Sequence, residues 1–233
     1  MKETDLPFLI AASRRILARE GCESRVAGHV SARVEGEDAF WVSPFGYFDE
    51  TTPDMVIKLG FDLERLEGEW EPSPAVEFHA AIYRARADVS SVIHTHSHHL
   101  SKFVTRAIPI GMYNVASVLF HDDQVLFDRE DMKNNTMGGG MVRMLGDKRV
   151  LLMKNHGAVV ASQSVEQATI EAMMLEKCAE YHLAAEQIGG TEFPLDEVVR
   201  GKARYRELFL PNMWEANFRR LRRSDPDLFA HLD

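Results

Sequence analysis

The chain has 233 residues, 36 acidic against 27 basic side chains and a formal net charge of −9 at pH 7. That length is ample for a full hydrophobic core, and 45% hydrophobic with 27% charged residues excludes disordered and fibrous classes. The acidic balance argues against a nucleic-acid partner, the two distant cysteines, Cys22 and Cys178, against a disulfide-stapled secreted domain, and the lack of any apolar run near the ~20 residues of a bilayer span against a membrane one.

In chain order, Met1-Lys2-Glu3-Thr4-Asp5 carries acids where a signal peptide needs a basic start and an apolar stretch, so a cytoplasmic location is expected. Pro7 to Glu20 has apolar residues at helical spacing and stops at Gly21, a natural helix end. Arg25–Val34 and Ala39–Val42 read as short strands broken by Gly28, Gly36 and the turn Ser43-Pro44-Phe45-Gly46. Ser73-Pro74 reads as an N-cap with proline at the first helical position, opening a helix to about Arg86. Asp88 to His96 alternates and is rich in Val and Ile, a strand. Gly138-Gly139-Gly140 reads as a hinge or a tight contact rather than a phosphate loop, and Arg149–Val160 as two strands either side of Asn155-His156-Gly157. Ser164 with Gln167 forms a capping box for the longest helix, which ends at Gly189-Gly190. Leu195–Arg223 reads as two helices interrupted near Pro211. With no repeat and no linker, residues 1–190 are expected to form the catalytic domain. Residues 191–233 are then a helical extension packing on the same or a neighbouring subunit. The short strand connections predict an α/β fold with helices on a mixed or mainly antiparallel sheet. There is no G-x-G-x-x-G after a strand and no Walker A motif.

The chemistry gathers at His94-Thr95-His96. Side chains two apart on a strand leave the same face, so both imidazoles can reach one point above the sheet. His156 sits in a tight turn between strands. Three neutral imidazoles with an open fourth position are the usual inner shell of a catalytic divalent metal. Glu77, one turn inside the helix that leads to the His94 strand, is placed to act as fourth ligand, as general base, or as each in turn. In a chain with ten histidines an H-x-H pair alone says little, and His98 and His99 read as solvated or structural. The combination carries the argument.

That combination resembles the class II aldolase/adducin family. The matching pieces come in order: Gly28-His29-Val30-Ser31-Ala32-Arg33, Ser43-Pro44-Phe45-Gly46, Pro74-Ala75-Val76-Glu77-Phe78-His79 and Arg84-Ala85-Arg86-Ala87-Asp88-Val89. Val92-Ile93-His94-Thr95-His96, Ile108-Pro109 and Lys154-Asn155-His156-Gly157-Ala158 complete the set. The resemblance implies a three-layer α/β/α fold around a mostly antiparallel sheet, assembled as a homotetramer with active sites at subunit interfaces. It implies that His94, His96 and His156 bind a divalent metal, zinc first among zinc, manganese, cobalt and iron(II), with Glu77 as acid/base and fourth ligand. It places Tyr113 where sugar-phosphate aldolases of the family carry a tyrosine acting across the interface.

The departures matter as much. The phosphate-binding Asn and paired serines of those aldolases are replaced by His29, Ala75 and Val76, so hydroxyl and amide donors give way to an imidazole and two apolar groups. Gly28, His29, Ser31, Ser43 and Gly46 remain as expected substrate contacts, and a small non-phosphorylated substrate is expected. The first reading is retro-aldol cleavage of a hydroxy-oxo compound through a metal-stabilised enediolate, with Glu77 moving the proton. The alternative is decarboxylation of a hydroxylated, aromatic-type acid. Decarboxylases of the family share the G-H-[VI]-S form and a tail like Trp214–Pro226, whose arginines read either as a solvated helix face or as a carboxylate contact in the next subunit. A sugar-phosphate aldolase or epimerase and a non-catalytic adducin-like binding module are the remaining alternatives.

Overall fold

The computed structural model describes residues 1–128, 136–230 and 232. The first helix, α1 (Leu6–Arg19), has Pro7 in its first turn and ends before Gly21, whose φ is +75°. Eight strands follow in one sheet: β1 (His29–Arg33), β2 (Ala39–Val42), β3 (Ile57–Gly60), β4 (Arg65–Glu67), β5 (Ser91–Thr95), β6 (Gln124–Phe127), β7 (Val150–Met153) and β8 (Gly157–Ser162). Their spatial order is β4-β3-β2-β1-β5-β8-β7-β6. Every neighbouring pair is antiparallel except β6 with β7. The remaining helices are α2 (Glu77–Ala85), α3 (His98–Phe103), α4 (Met137–Leu145), α5 (Val165–Ile188), α6 (Leu195–Arg204), α7 (Leu210–Ser224) and α8 (Pro226–Phe229).

Period-two alternation assigns the two faces of the sheet. Val30, Ala32, Ile93, Leu152, Ala158 and Val160 join a core with Phe8, Ile16 and Leu175 under α1 and α5. Val92, Leu151, Val159 and Ala161 join a second core with Phe78, Ile82 and Met141 under α2 and α4. This is the expected three-layer α/β/α arrangement, and it puts His29, Ser31 and His94 on the face that α2 covers.

Several local expectations are corrected. The first strand begins at His29 rather than Arg25, because Arg25 is left-handed (φ +55°) and breaks the extended run. The fifth begins at Ser91, since Arg86 pairs with Asp88 and holds the preceding residues in a turn. The C-terminal helices are not separated at Pro211. The helix runs on through a π turn, Tyr205–Phe209, just before the residue that lacks a donor. Among the described residues no helix is long and apolar enough to cross a membrane.

The tail lies on its own chain. Trp214 and Leu221 are buried in the α1–α5 core, the Phe8 ring meets Phe218 at 6.1 Å and Phe229 at 5.5 Å, and Arg15 and Arg19 both reach Asp225. Arg220 pairs with Glu20, and Arg222 with Glu3. Leu221 is fully enclosed, so Leu221→Ala should cost about 2–4 kcal/mol. Urea unfolding followed by circular dichroism would read this as one lowered cooperative transition rather than an early separate loss of the tail.

Candidate functional site

The site is built where β1, β5 and β8 lie side by side. His29 pairs with His94 across β1 and β5, and Thr95 pairs with Ala158 across β5 and β8. The β7–β8 turn therefore delivers His156 beside the end of β5. That turn is tight: Asn155 is left-handed at φ +56°. A Cβ on Gly157 would stand 2.2 Å from the Thr95 carbonyl oxygen and 2.8 Å from the His96 ring, so only glycine fits.

The three expected imidazoles converge. Ring centroids are 4.6 Å apart for His94 and His96, 5.0 Å for His94 and His156, and 4.5 Å for His96 and His156. One nitrogen from each lies within 4.8 Å of the others. His94 Nδ1 is 2.9 Å from the Ala158 carbonyl, which makes it the donor and leaves Nε2 for the centre. His96 Nε2 is buried with no hydrogen-bond partner among the described residues. Burial, and then the neighbouring imidazoles, hold His94 well below the ordinary histidine range, and His96 is pulled down to about 4. Convergent imidazoles, one of them with a buried and unpartnered nitrogen, fit a divalent cation.

Glu77 is not one of those clustered donors. It stands half-buried at the first residue of α2, after an N-cap in which Ser73 accepts the Ala75 N–H. Its Oε1 lies toward α4, where a Cβ on Gly138 would come within 3.0 Å of it. Tyr113 is not brought to the imidazoles within the chain: its ring meets His182 at a tilt, centroids 4.7 Å apart, and lines a different cavity.

The expected phosphate-loop residues are otherwise occupied. Gly28 lies against the Phe48 ring and Ser24. The Ser43 hydroxyl accepts the Val30 N–H at 3.1 Å, and the Ser31 hydroxyl lies 2.6 Å from both His79 Nδ1 and Tyr83 Oη. Arg14, fully buried, donates to the Pro44 carbonyl at 2.6 Å and the Gly46 carbonyl at 2.5 Å, with its guanidinium 4.3 Å over the Phe48 ring. Ser31 and Ser43 are buried, as is His29. A reading of the sequence missed the residues that do line the opening: a cavity of about 530 Å³ beside His96 is walled by Glu23, Ser24, Arg25 and His98. The left-handed Arg25 has no sequence signature. It also missed His79, which with Tyr83 forms an i, i+4 pair on α2 facing His29 and Ser31, an i, i+2 pair on β1. A cavity of about 600 Å³ between Arg149, Arg206 and Trp214 holds none of these histidines.

An antiparallel-sheet α/β/α protein with three converging imidazoles is the architecture of metal-dependent aldolases and their kin. The chain belongs to the class II aldolase and adducin N-terminal domain family, whose model matches residues 9–183. It is 26% identical to the 5-deoxy-D-ribulose 1-phosphate aldolase of Bacillus thuringiensis over 195 residues, covering 82% of this chain and 90% of that protein. It is also 26% identical to the 3,4-dihydroxyphthalate decarboxylase of Arthrobacter keyseri over 197 residues, covering 78% and 79% respectively. Among solved structures, an aldolase II superfamily protein from Pseudomonas syringae superposes with a TM-score of 0.85 at 25% identity, covering 96% of this chain and 94% of that one. The family thus contains both aldolases and decarboxylases, and a lyase is the general class it supports.

Burial lowers His29, His79, His94 and His96 in the folded state below the value near 6.5 of an unfolded chain. The folded state then binds fewer protons than the unfolded one in that window, so stability is complete above about pH 6.5 and is lost as the pH falls. The metal-free protein should melt at a lower temperature at about pH 5.5 than at about pH 7.5, and His94→Phe should narrow that difference.

Proposed function

We propose that this chain is a metal-dependent carbon–carbon lyase that cleaves a small non-phosphorylated hydroxy-oxo substrate by a retro-aldol step. The observation that carries the reading is the trio of converging imidazoles, of which His96 lines the cavity, beside a loop whose Pro44 and Gly46 carbonyls are drawn inward by Arg14. His94, His96 and His156 would hold the ion, zinc first. A divalent metal there supplies a Lewis acid for negative charge developing on a substrate oxygen. Glu77, at the positive end of α2, moves the proton to or from the carbon that leaves. His29 is the substrate contact nearest the imidazoles, and Arg25 and Glu23 flank the entrance. Tyr113 serves the site of a neighbouring copy, which makes the working form a homo-oligomer, a tetramer by resemblance to the family. Residues 1–190 form the catalytic domain, with 191–233 as its helical extension.

Arg25 favours a second reading. Its exposed guanidinium stands on the cavity beside His96, where a planar fork suits a substrate carboxylate. With the same ion and the same Glu77, a hydroxylated aromatic acid bound there would lose carbon dioxide, and a relative at 26% identity is a decarboxylase of such an acid.

Protein purified without chelator should carry about one divalent ion per chain, and His94→Ala and His156→Ala should lose it. Glu77→Gln should keep the ion while lowering kcat by about 10²–10⁴. A panel of hydroxy-oxo compounds and dihydroxybenzoic acids separates the two chemistries: aldehyde release marks the first and carbon dioxide without aldehyde the second. A metal-free wild-type chain that takes up neither zinc nor manganese would overturn both.

A further inference from the structure

Behind the imidazole trio the fold encloses a line of four polar side chains. Tyr83 Oη is 2.6 Å from Ser31 Oγ, Ser31 Oγ is 2.6 Å from His79 Nδ1, and His79 Nε2 is 2.6 Å from His29 Nδ1. All four residues are at most 1% exposed. The far nitrogen, His29 Nε2, is buried and has no hydrogen-bond partner among the described residues. It occupies the ring edge away from His79, on a ring whose centroid is 5.1 Å from that of His94.

The hydrogens in this line can be counted. A nitrogen–nitrogen contact of 2.6 Å needs one bare nitrogen between the two rings, and among the described residues no carboxylate pairs with either, so each of the four groups carries one hydrogen to donate. Three contacts use three of them, and the fourth must emerge at one end. Among the described residues the Tyr83 hydroxyl has a single acceptor, Ser31 Oγ, so its hydrogen goes there. Ser31 then gives its own hydrogen to His79 Nδ1 at 2.6 Å in preference to the Val92 carbonyl at 3.4 Å. A neutral His79 that accepts at Nδ1 carries its hydrogen on Nε2 and donates it to His29 Nδ1. His29 is left with its hydrogen on Nε2. That donor is then buried without an acceptor, the costly arrangement that native proteins keep where a ligand supplies the missing partner.

We propose that the Tyr83–Ser31–His79 line fixes His29 as the Nε2–H tautomer and aims that N–H as a hydrogen-bond donor at the substrate oxygen that becomes negative beside the three imidazoles. His79, Ser31 and Tyr83 are positioning residues, since they act on the substrate only through His29. The donor acts as an oxyanion contact, stabilising developing charge in a water-poor setting. The tautomer follows from the chain alone, whereas the substrate contact rests on the lyase reading above.

The test is a long-range proton–nitrogen correlation spectrum of zinc-loaded protein labelled with ¹⁵N-histidine, with the His29 signals assigned by their loss in His29→Gln. The expected result is a single neutral tautomer protonated on Nε2. Protonation on Nδ1, or an even mixture, would overturn the proposal. Ser31→Ala removes the donor to His79 and should convert the single tautomer into a mixture; an unchanged spectrum in the folded variant would show that the line does not set it. Hydroxypyruvate and 3,4-dihydroxybenzoate, one probe for each chemistry, are then titrated in. Binding should shift the His29 Nε2–H signal, and His29→Phe should weaken the bound probe about tenfold or more with zinc content unchanged. Binding that leaves the His29 signal in place would overturn the substrate contact. Failure of wild-type protein to bind either probe would overturn the substrate class proposed above, and the tautomer measurement still decides the chain.

Discussion

Everything at the candidate site depends on the register of β5 between its two neighbours. His94 faces α2 because it stands opposite His29 on one side and Val159 on the other. A slip of one residue on either ladder would turn His94 toward α1 and α5 and bring Ile93 to the α2 face. The register is held from both sides by hydrophobic alternation, and at the critical end by one close approach. Gly157 lets the β7–β8 turn come so near Thr95 that no side chain could intervene, and that nearness brings His156 against His96. The cluster is thus a product of sheet pairing together with one tight turn: His94 is mounted on β5, His96 follows its last residue, and His156 sits in the β7–β8 turn that the pairing brings alongside.

Burial has a second consequence. The desolvation that makes the β1–β5–β8 region a good core also keeps its histidines neutral, which is the form in which an imidazole binds a metal or relays a defined hydrogen bond. Arg14 adds to this. Its burial pulls the guanidinium down to about 9, so it stays charged at neutral pH, and that charge further disfavours a proton on His29. The same guanidinium draws in the carbonyls of Pro44 and Gly46. A loop organised around a cation, with its carbonyls pointing inward, presents a different face from one whose N–H groups and hydroxyls converge on a phosphate.

How much of this was legible in the sequence depended on whether the signal was local. The His94–His96 pair and the Asn155-His156-Gly157 turn could be read directly, because two-residue spacing on a strand and a tight turn are short-range properties, and the caps of α2 and α5 at Ser73 and Ser164 were equally plain. The Tyr83–Ser31–His79–His29 line was not, although both halves obey the simplest periodicities. Spacing of two on β1 and of four on α2 says which residues share a face, but only the packing of α2 on β1 says that those faces meet. Arg25 and Tyr113 fail for other reasons. A left-handed arginine has no propensity that marks it in advance, and the packing of Tyr113 on His182 joins residues 69 apart in sequence. The π turn before Pro211 was invisible because a missing donor can be absorbed either by a break or by a wider turn, and burial of Tyr205 and Leu210 on either side favours keeping the helix.

The helix α2 joins these threads. Three successive residues at its start point in three directions about 100° apart. Glu77 lies toward α4, Phe78 meets the His94 ring edge-on at 5.5 Å, and His79 closes on His29. Their relative placement is therefore fixed by one rigid turn of helix rather than by three separate loops. That turn is in turn seated by α4, where Gly138 allows so close an approach that an added Cβ would stand 2.8 Å from Ala81. A shift of α2 along the sheet would displace the carboxylate, the ring against His94 and the hydrogen bond to His29 together. The glycine run that opens α4 thus acts through close packing: it holds Glu77 and His79 in a constant relation to the imidazoles.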